Sequence, residues 1–145
     1  MTHLKAGFNI RSTDALIGSF FEHTSILLVR HNEVGTIGFV TNKPFEKSLH
    51  DLSEFNNSKP FPLMDGGPVD REHLFVLHKR PDLIDGGEQI ANGLYLGGNM
   101  KQVIEAINTR SANEQDIQLF IGYCGWDVGE LEAEVEEGSW SFLLQ

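Results

Sequence analysis

The stretch FIGYCGWDVGELEAEVEEGSW, residues 120–140, constrains the fold more than any other part of the sequence. Apolar residues alternate up to Gly122, which predicts a strand that ends there. Asp127 stands where a helix N-cap belongs, and Glu130 follows three residues later as in a capping box. Gly138 can end that helix in the left-handed conformation. The stretch is therefore predicted to form a strand, a sharp turn at its glycines (a glycine corner), and a helix that ends at Gly138.

Further strands are predicted from short apolar runs between turn signals. Residues 25–31 and 36–42 flank the turn NEVG, a pattern typical of a β-hairpin. Pro44 is predicted to end the second of these strands, because proline has no backbone N–H to donate. Residues 74–79 are predicted to form another strand, and the glycine-containing residues 88–98 one more.

Two more helices are predicted from the spacing of apolar residues. One short helical face is formed by Phe45, Leu49, Leu52 and Phe55. Asn99 can cap a helix over NMKQVIEAINTR, with Gln102 as its capping-box partner. These elements together predict an α+β fold, in which about three helices accompany a mixed, mostly antiparallel sheet.

The length of 145 residues suits a single domain spanning residues 1–145. The one cysteine, Cys124, cannot form an internal disulfide, which fits a reducing compartment. The N-terminus has no apolar core behind a basic start, and the longest apolar run is far shorter than the roughly 20 residues of a membrane span. A cytoplasmic protein is therefore predicted.

The net charge of −10, from 21 acidic and 11 basic residues, disfavours direct contact with nucleic acid. Neutralising phosphates supplies most of the affinity in such complexes, and this requires a basic patch. Lys79 and Arg80 form the one adjacent pair of basic residues. The glutamate-rich residues 130–137 fit either a solvated helix face or a surface that meets a basic protein partner.

Three blocks of the sequence together resemble one bacterial family. They are GTIGFVTNKP, DGGPVDREHLFVLH and GYCGWDVGELEAEVEEGSW, at residues 35–44, 65–78 and 122–140. They resemble the YqgE/AlgH family, whose members share G-x-x-G-φ-φ-x-N-[KR]-P, a GGPV segment that leads into a strand, and G-Y-[AS]-G-W-x-x-G-Q-L-E-x-E. The order and spacing of the blocks extend the resemblance over nearly the whole chain.

The resemblance implies a compact domain whose sheet bends into a partly closed, barrel-like shape. It implies a small cytoplasmic bacterial protein from a family with an old association with transcriptional regulation and no assigned biochemical activity. The chain departs from the family pattern at Cys124, where small residues are usual, and at Glu130, where glutamine is usual. If that glutamine bonds a ligand in relatives, Glu130 either changes the binding or abolishes it.

Glycine corners supply the first candidate binding residues. At Gly66, Gly67 and Pro68, and again from Gly122 to Gly125, the backbone can turn sharply or approach another molecule. Exposed amides there could hold an anion, and the alternative is plain turn geometry. These bends are predicted to gather the three blocks around a shared depression.

The remaining candidate binding residues lie in the same blocks. Tyr123 and Trp126 could wall a pocket, or Trp126 could anchor the core. Asn42 and Pro44 follow a strand, where Asn42 could instead bond its own backbone in an Asx-type turn. Glu130 completes the set through its place in the family pattern.

The sequence contains no complete catalytic or metal-binding set. Cys124 precedes a helix and could be a nucleophile, but a nearby Asp127 would raise the pKa of its thiol, so a structural role is favoured. His73 and His78 are five apart on a predicted strand and should point to opposite faces. The sequence has no HxH, HExxH or CxxC motif. We predict no catalytic residue, no metal and no cofactor.

Two functions remain open at this level. The first is a non-enzymatic binding or regulatory module that acts through a protein partner rather than by contacting DNA. The second is a small-ligand-binding protein or enzyme, with a pocket between the TNKP, GGPV and GYCGW segments. A ligand that co-purifies with the protein would favour the second.

Overall fold

The computed structural model describes residues 4–142. Ten β-strands and two α-helices follow in the order β1 Asn9–Ser12, β2 Ser25–Asn32, β3 Gly35–Val40, β4 Pro44–Ser48, β5 Pro62–Asp65, β6 Val69–His78, β7 Glu88–Ala91, β8 Leu94–Leu96, α1 Met100–Asn108, β9 Ile117–Trp126, α2 Glu130–Glu136 and β10 Trp140–Phe142. Single 3-10 turns occur at Asp14–Leu16, Leu49–Asp51 and Ser53–Phe55. No helix within residues 4–142 is both long and apolar enough to span a membrane.

All ten strands belong to one curved sheet. Its order is β10-β1-β2-β3-β9-β6-β8-β7, and β4 joins it through β5, which pairs with β9. Each pairing is antiparallel except that of β5 with β9. The predicted α+β class and mostly antiparallel sheet are confirmed, with two α-helices rather than three within residues 4–142. In the described chain the sheet stays open, but it curls until Arg30 of β2 lies 3.4 Å from Glu88 of β7.

Three apolar clusters cover the two faces of the sheet. The inner cluster lies on the face toward which the sheet curls and contains Leu27, Val29, Phe39, Leu77 and Phe120. The α1 cluster lies on the outer face and contains Leu49, Val103, Ile107, Leu119 and Ile121. The α2 cluster covers the rest of the outer face and contains Ile10, Ile26, Trp126, Leu131 and Trp140. The inner cluster therefore lines the concave side of the molecule.

Gly122 reverses the side-chain alternation in the middle of β9. Before it, Phe120 faces the inner cluster and Ile121 the α1 cluster. After it, Tyr123 faces the inner cluster and Cys124 the α2 cluster. A left-handed residue permits this reversal, and Gly122 has φ of 74°. The prediction that the strand ends at Gly122 is wrong, because β9 continues to the end of the GYCGW motif.

The segment after the first hairpin is not the predicted helix. Pro44 begins β4 instead of ending β3, and β4 pairs with β5 before two 3-10 turns follow. The four apolar side chains used for the prediction nevertheless pack in the same cluster. Leu49 is buried in the α1 cluster, and Phe45, Leu52 and Phe55 pack against it. The helical spacing identified the packed residues correctly, but strand pairing determined the backbone.

Helix α1 begins as predicted, whereas its expected capping box does not form. The Asn99 side chain accepts the Gln102 N–H at 3.1 Å. The Gln102 side chain does not return to the cap. It accepts the Asp85 N–H at 2.7 Å and donates to the Asp85 carboxylate at 3.1 Å, which ties α1 to the loop between β6 and β7.

Helix α2 begins later than predicted. Gly129, with φ of 81°, occupies the N-cap position, and no side chain caps the helix there. The Asp127 N–H donates to the Glu130 carboxylate at 3.0 Å, which is half of the predicted capping box. The Asp127 side chain is therefore not the cap. The helix ends before Gly138, whose φ of 86° is the predicted left-handed stop.

The predicted hairpin is confirmed as β2–β3, and residues 88–98 hold a second hairpin rather than one strand. In this second hairpin Asn92 and Gly93 connect β7 to β8, and Gly93 has φ of 76°. An Asn-Gly pair between two short strands is a strong hairpin signal. The β7–β8 hairpin forms the wall of the concave side that faces β2.

Candidate functional site

The three motif segments meet through backbone hydrogen bonds. The Asp65 N–H donates to the Lys43 carbonyl at 2.8 Å, and the Val40 N–H donates to the Gly66 carbonyl at 2.9 Å. The Gly66 N–H donates to the Ile121 carbonyl at 2.8 Å. The TNKP, GGPV and GYCGW segments are therefore neighbours, although they lie far apart in the sequence.

Glycine allows these segments to touch where side chains would not fit. A Cβ on Gly66 would lie 2.4 Å from the Gly122 carbonyl oxygen, and one on Gly67 would lie 2.2 Å from the Tyr123 carbonyl carbon. Backbone therefore fills the space between the segments, and the Gly66 N–H is already bonded. The predicted depression does not lie at this contact. Pro68 follows on the surface, and the role of all three residues in binding stays a prediction.

An ion pair beside this contact was not foreseen from the sequence. Arg71 donates to both Asp65 carboxylate oxygens, at 2.5 and 3.3 Å, and to the Gly67 carbonyl at 2.9 Å. The hydrogen bond to Asp65 raises the pKa of the Arg71 guanidinium. The cation is thus engaged within the chain. Its sequence signal was the pair of opposite charges at the two ends of DGGPVDR.

Asn42 joins the end of β3 to the loop before β2. Its side-chain oxygen accepts the Ser25 N–H at 3.0 Å, and its amide group donates to the His23 carbonyl at 2.9 Å. The Asx-turn alternative is therefore not what forms. Pro44, which starts β4, lines a cavity of about 590 Å³ together with Phe45.

We expect Asn42→Ala to lower the free energy of unfolding by about 1–2 kcal/mol, because two cross-loop hydrogen bonds are lost. Asn42→Asp keeps the acceptor but loses the donor to the His23 carbonyl, so its loss should be smaller or similar. Urea denaturation followed by circular dichroism measures both. The exposed Asn57 offers the matched control Asn57→Ala. Equal stabilities of the Asn42→Ala and Asn57→Ala variants would contradict the bridging role.

Cys124 is a buried structural residue in this fold. Its thiol lies in the α2 cluster and contacts the Gly66 carbonyl at 3.6 Å. Burial, with a smaller contribution from the charge of Asp65, raises the pKa of the thiol to about 12. A nucleophilic cysteine needs the opposite shift. Within residues 4–142, no three His, Cys, Asp or Glu side chains converge as a metal ion would require.

We expect the Cys124 thiol to react with iodoacetamide at pH 8 at least about 1,000-fold more slowly in the folded protein than in urea. The thiolate fraction falls by that factor when the pKa rises from 9.0 to about 12, and burial slows access further. The same difference in pKa affects stability, because between pH 9.0 and about pH 12 the folded state keeps the Cys124 thiol proton and the unfolded state loses it. The free energy of unfolding should therefore decrease as the pH rises through this range. Mass spectrometry measures the alkylation rate. Rapid labelling of the folded protein would contradict the burial.

Helix α2 uses its glutamates for local contacts. Glu134 accepts hydrogen bonds from the indole N–H groups of Trp126, at 3.1 Å, and Trp140, at 2.9 Å. Glu132 lies 3.5 Å from His31 of β2. Glu130 accepts the Asp127 N–H, a bond that a glutamine oxygen could also accept. The acidic face is therefore partly a set of structural acceptors rather than a purely solvated surface.

A groove lies on the concave side, between the β2–β3 hairpin and β7. It consists of two adjoining cavities of about 720 and 500 Å³. Both cavities are lined by Val29, Arg30, Ile37, Glu88 and Tyr123, and we call their union the Tyr123 groove. The Tyr123 ring packs edge-on against Phe75, with ring centroids 5.6 Å apart. The inner cluster therefore gives the groove aromatic and aliphatic side chains, while His31, Asn32 and Gln89 add polar groups to the larger cavity. The Arg30–Glu88 ion pair lines both cavities.

Exposed apolar residues continue the groove at one end. Val34 in the β2–β3 turn is 80% exposed, and Val128 in the turn after β9 is 65% exposed. The two turns touch, because a Cβ on Gly35 would lie 3.8 Å from the Asp127 Cα. Val34 lines the larger cavity and Val128 lies in the neighbouring turn, so the two valines add exposed apolar surface beside the groove.

The structure separates the candidate residues into those that line the Tyr123 groove and those that do not. Tyr123, Gly125 and Trp126 line the Tyr123 groove, although Trp126 is also buried in the α2 cluster. Neither cavity of the groove is lined by Asn42, Pro44, Gly66, Gly67, Pro68 or Glu130. Sequence reasoning missed Arg30, Glu88 and Val29, because their strands are brought together by the curl of the sheet.

Comparisons with known proteins identify similar chains over almost the whole length. A family model described as AlgH-like matches residues 9–144. The chain is 42% identical to the UPF0301 protein CT0663 of Chlorobaculum tepidum, over 94% of this chain and 73% of that protein. It is 40% identical to a UPF0301 protein of Chlorobium luteolum, over 94% and 72% of the two chains.

Solved structures share the fold. The solution structure of the AlgH protein from Pseudomonas aeruginosa aligns with a TM-score of 0.77 and 25% identity, over 100% of this chain and 82% of that one. The crystal structure of protein DIP2367 from Corynebacterium diphtheriae aligns with a TM-score of 0.79 and 20% identity, over 99% and 78% of the two chains. The latter likeness concerns the fold alone.

Proposed function

Since this chain belongs to the AlgH-like family, we propose that it is a cytoplasmic, non-enzymatic binding module that holds a segment of a protein partner in the Tyr123 groove. The observation that carries the proposal is the groove itself, an open hollow whose lining combines aromatic and aliphatic side chains with polar ones and beside which two valines are exposed. Protein interfaces concentrate their energy in such aromatic centres. The old association of the family with transcriptional regulation then describes an indirect effect through the partner.

The chemistry of the candidate residues supports binding over catalysis. The Cys124 thiol is buried with a raised pKa, so it is a poor nucleophile. The Arg71 guanidinium is held by Asp65. Tyr123 has an aromatic partner in Phe75 rather than a general base.

The charge balance supports a protein partner rather than nucleic acid. The net charge of −10 opposes a polyanion at every distance within the screening length. We expect no binding of a random-sequence DNA duplex at protein concentrations up to about 10 μM in low salt, measured by fluorescence anisotropy. Tight binding with a steep salt dependence would contradict this.

The function is tested by comparative capture from the cells that express this chain. We expect immobilised wild-type protein to retain at least one partner that the double variant Val34→Glu/Val128→Glu loses. The exposed Ile17 lies outside the groove lining and provides the control Ile17→Glu, which should retain the partner. A purified partner must then bind wild-type protein directly. If wild-type and double variant retain the same proteins, the groove is not the binding surface, and a small molecule found in native mass spectra would favour the ligand-binding alternative instead.

A further inference from the structure

Gly125 is a glycine that the fold does not need. Its φ is not in the left-handed range, unlike that of Gly122. A Cβ there would meet nothing closer than the Tyr123 ring, at 3.5 Å, which is an ordinary contact. At Gly66 and Gly67 a Cβ would strike backbone. Glycine weakens a strand, and where packing does not require it, it often marks a close approach by another molecule.

The missing side chain leaves a notch in the Tyr123 groove. Beyond Gly122, side chains of β9 at alternate positions point toward the inner cluster, so Tyr123 and Gly125 share the concave face. Gly125 is exposed, and its strand partner is Ile37, which also lines the groove. The notch is therefore bounded by an aromatic ring on one side and an aliphatic side chain on the other.

The charges along the groove leave one carboxylate for a partner. Glu88 pairs with Arg30, and Asp70 bonds to His73. Among the contacts of the described residues, the exposed Asp127 contributes only backbone groups: its N–H donates to the Glu130 carboxylate and its carbonyl accepts the Glu130 N–H, so its carboxylate has no hydrogen-bond or ion-pair partner. Asp127 lines the groove two residues beyond Gly125. An incoming positive charge would be held at this end.

We propose that the notch formed by Tyr123 and Gly125 receives an aromatic side chain of the partner segment, while a lysine or arginine two positions away on that segment pairs with Asp127. This inference rests on the proposed function and specifies the partner's chemistry. Residues two apart in an extended chain lie on one face about 6.6–6.8 Å apart. Asp127 likewise follows Gly125 by two residues, one position past the end of β9. The aromatic ring stacks against Tyr123 in the space that a side chain on Gly125 would fill.

The test uses the peptide acetyl-Lys-Ser-Trp-Ser-Lys-amide, which offers a lysine two positions from the indole in either chain direction. Titration into isotope-labelled protein is followed by amide chemical shifts. We expect saturable shifts at Tyr123, Gly125 and Ile37, with a Kd in the range of about 0.1–1 mM. Gly125→Val should weaken binding about tenfold or more by filling the notch, and Asp127→Asn about threefold or more. Replacing the tryptophan of the peptide by alanine should abolish the shifts.

The exposed Gln118 lies on the same strand outside the groove, so Gln118→Val controls for adding a branched residue to β9 and should leave binding unchanged. Well-dispersed spectra confirm that each variant is folded. The inference is overturned if wild-type protein shows no shifts at the groove, or if Gly125→Val binds the peptide as tightly as wild type. The proposed function fails separately, when no partner distinguishes wild type from Val34→Glu/Val128→Glu in the capture experiment.

Discussion

Gly67→Ala is expected to leave the chain largely unfolded at 25 °C. A Cβ at this position would lie 2.2 Å from the carbonyl carbon and 2.3 Å from the carbonyl oxygen of Tyr123, and 2.6 Å from the Cys124 nitrogen. All three atoms belong to the backbone of β9, so no side chain can move aside. The residue also has φ of 153°, which alanine adopts with strain. The expected loss is about 4–5 kcal/mol or more, a large part of the stability of a domain.

Circular dichroism and thermal denaturation measure this loss, and Gly125→Ala provides the matched control. Gly125 belongs to the GYCGW segment, which Gly67 contacts, yet a Cβ on Gly125 makes ordinary contacts. The free energy of unfolding of the control should therefore stay within about 0.5 kcal/mol of wild type. A folded Gly67→Ala variant with a near-native Tm would show that the turn between β5 and β6 can move away from β9. In that case the close contact between the GGPV and GYCGW segments would not be essential to the fold.

Trp126→Ala is expected to lower the free energy of unfolding by about 3–5 kcal/mol. The side chain is 7% exposed, and its ring meets Trp140 edge-on with centroids 6.1 Å apart. Its indole N–H shares the Glu134 carboxylate with Trp140. Truncation therefore leaves a cavity in the α2 cluster and removes one of the two indole hydrogen bonds that the Glu134 carboxylate accepts.

Urea denaturation followed by circular dichroism distinguishes the two roles considered for Trp126. A core anchor gives the large loss above, and Trp126→Phe, which keeps the ring but not the N–H, should fall between wild type and alanine. The exposed Val128 supplies the control Val128→Ala, expected to change stability by less than about 0.5 kcal/mol. A small loss for Trp126→Ala together with loss of partner binding would instead identify a pocket wall.

Local patterns predicted the elements whose stability is local. The β2–β3 hairpin, the Asn99 cap of α1 and the Gly138 stop of α2 each depend on residues a few positions apart. Such turn and capping patterns can be recognised in the sequence because the hydrogen-bond partners are close in the sequence. The α+β class followed from the order of such elements.

The errors arose where distant strands determine the backbone. Residues 45–55 carry helical spacing, yet β4 pairs with β5, and tertiary pairing overrode the pattern. Gly122 looked like the end of a strand because a glycine that reverses the alternation interrupts the period. The Tyr123 groove could not be foreseen, since Arg30 and Glu88 meet only through the curl of the whole sheet.

Strand β9 is the one element whose side chains enter all three apolar clusters of the described chain, through Leu119, Phe120 and Trp126. Separating β9 from its neighbours would expose apolar residues on both faces of the sheet at once. Unfolding only the strands on one side of β9 would therefore gain little conformational entropy for the apolar surface that it exposes. We therefore expect a single cooperative transition, with the β9 amides among the last to exchange with deuterium. The strands on both sides of β9 should unfold together, so a substitution on either side of β9 should lower the stability of the whole described domain.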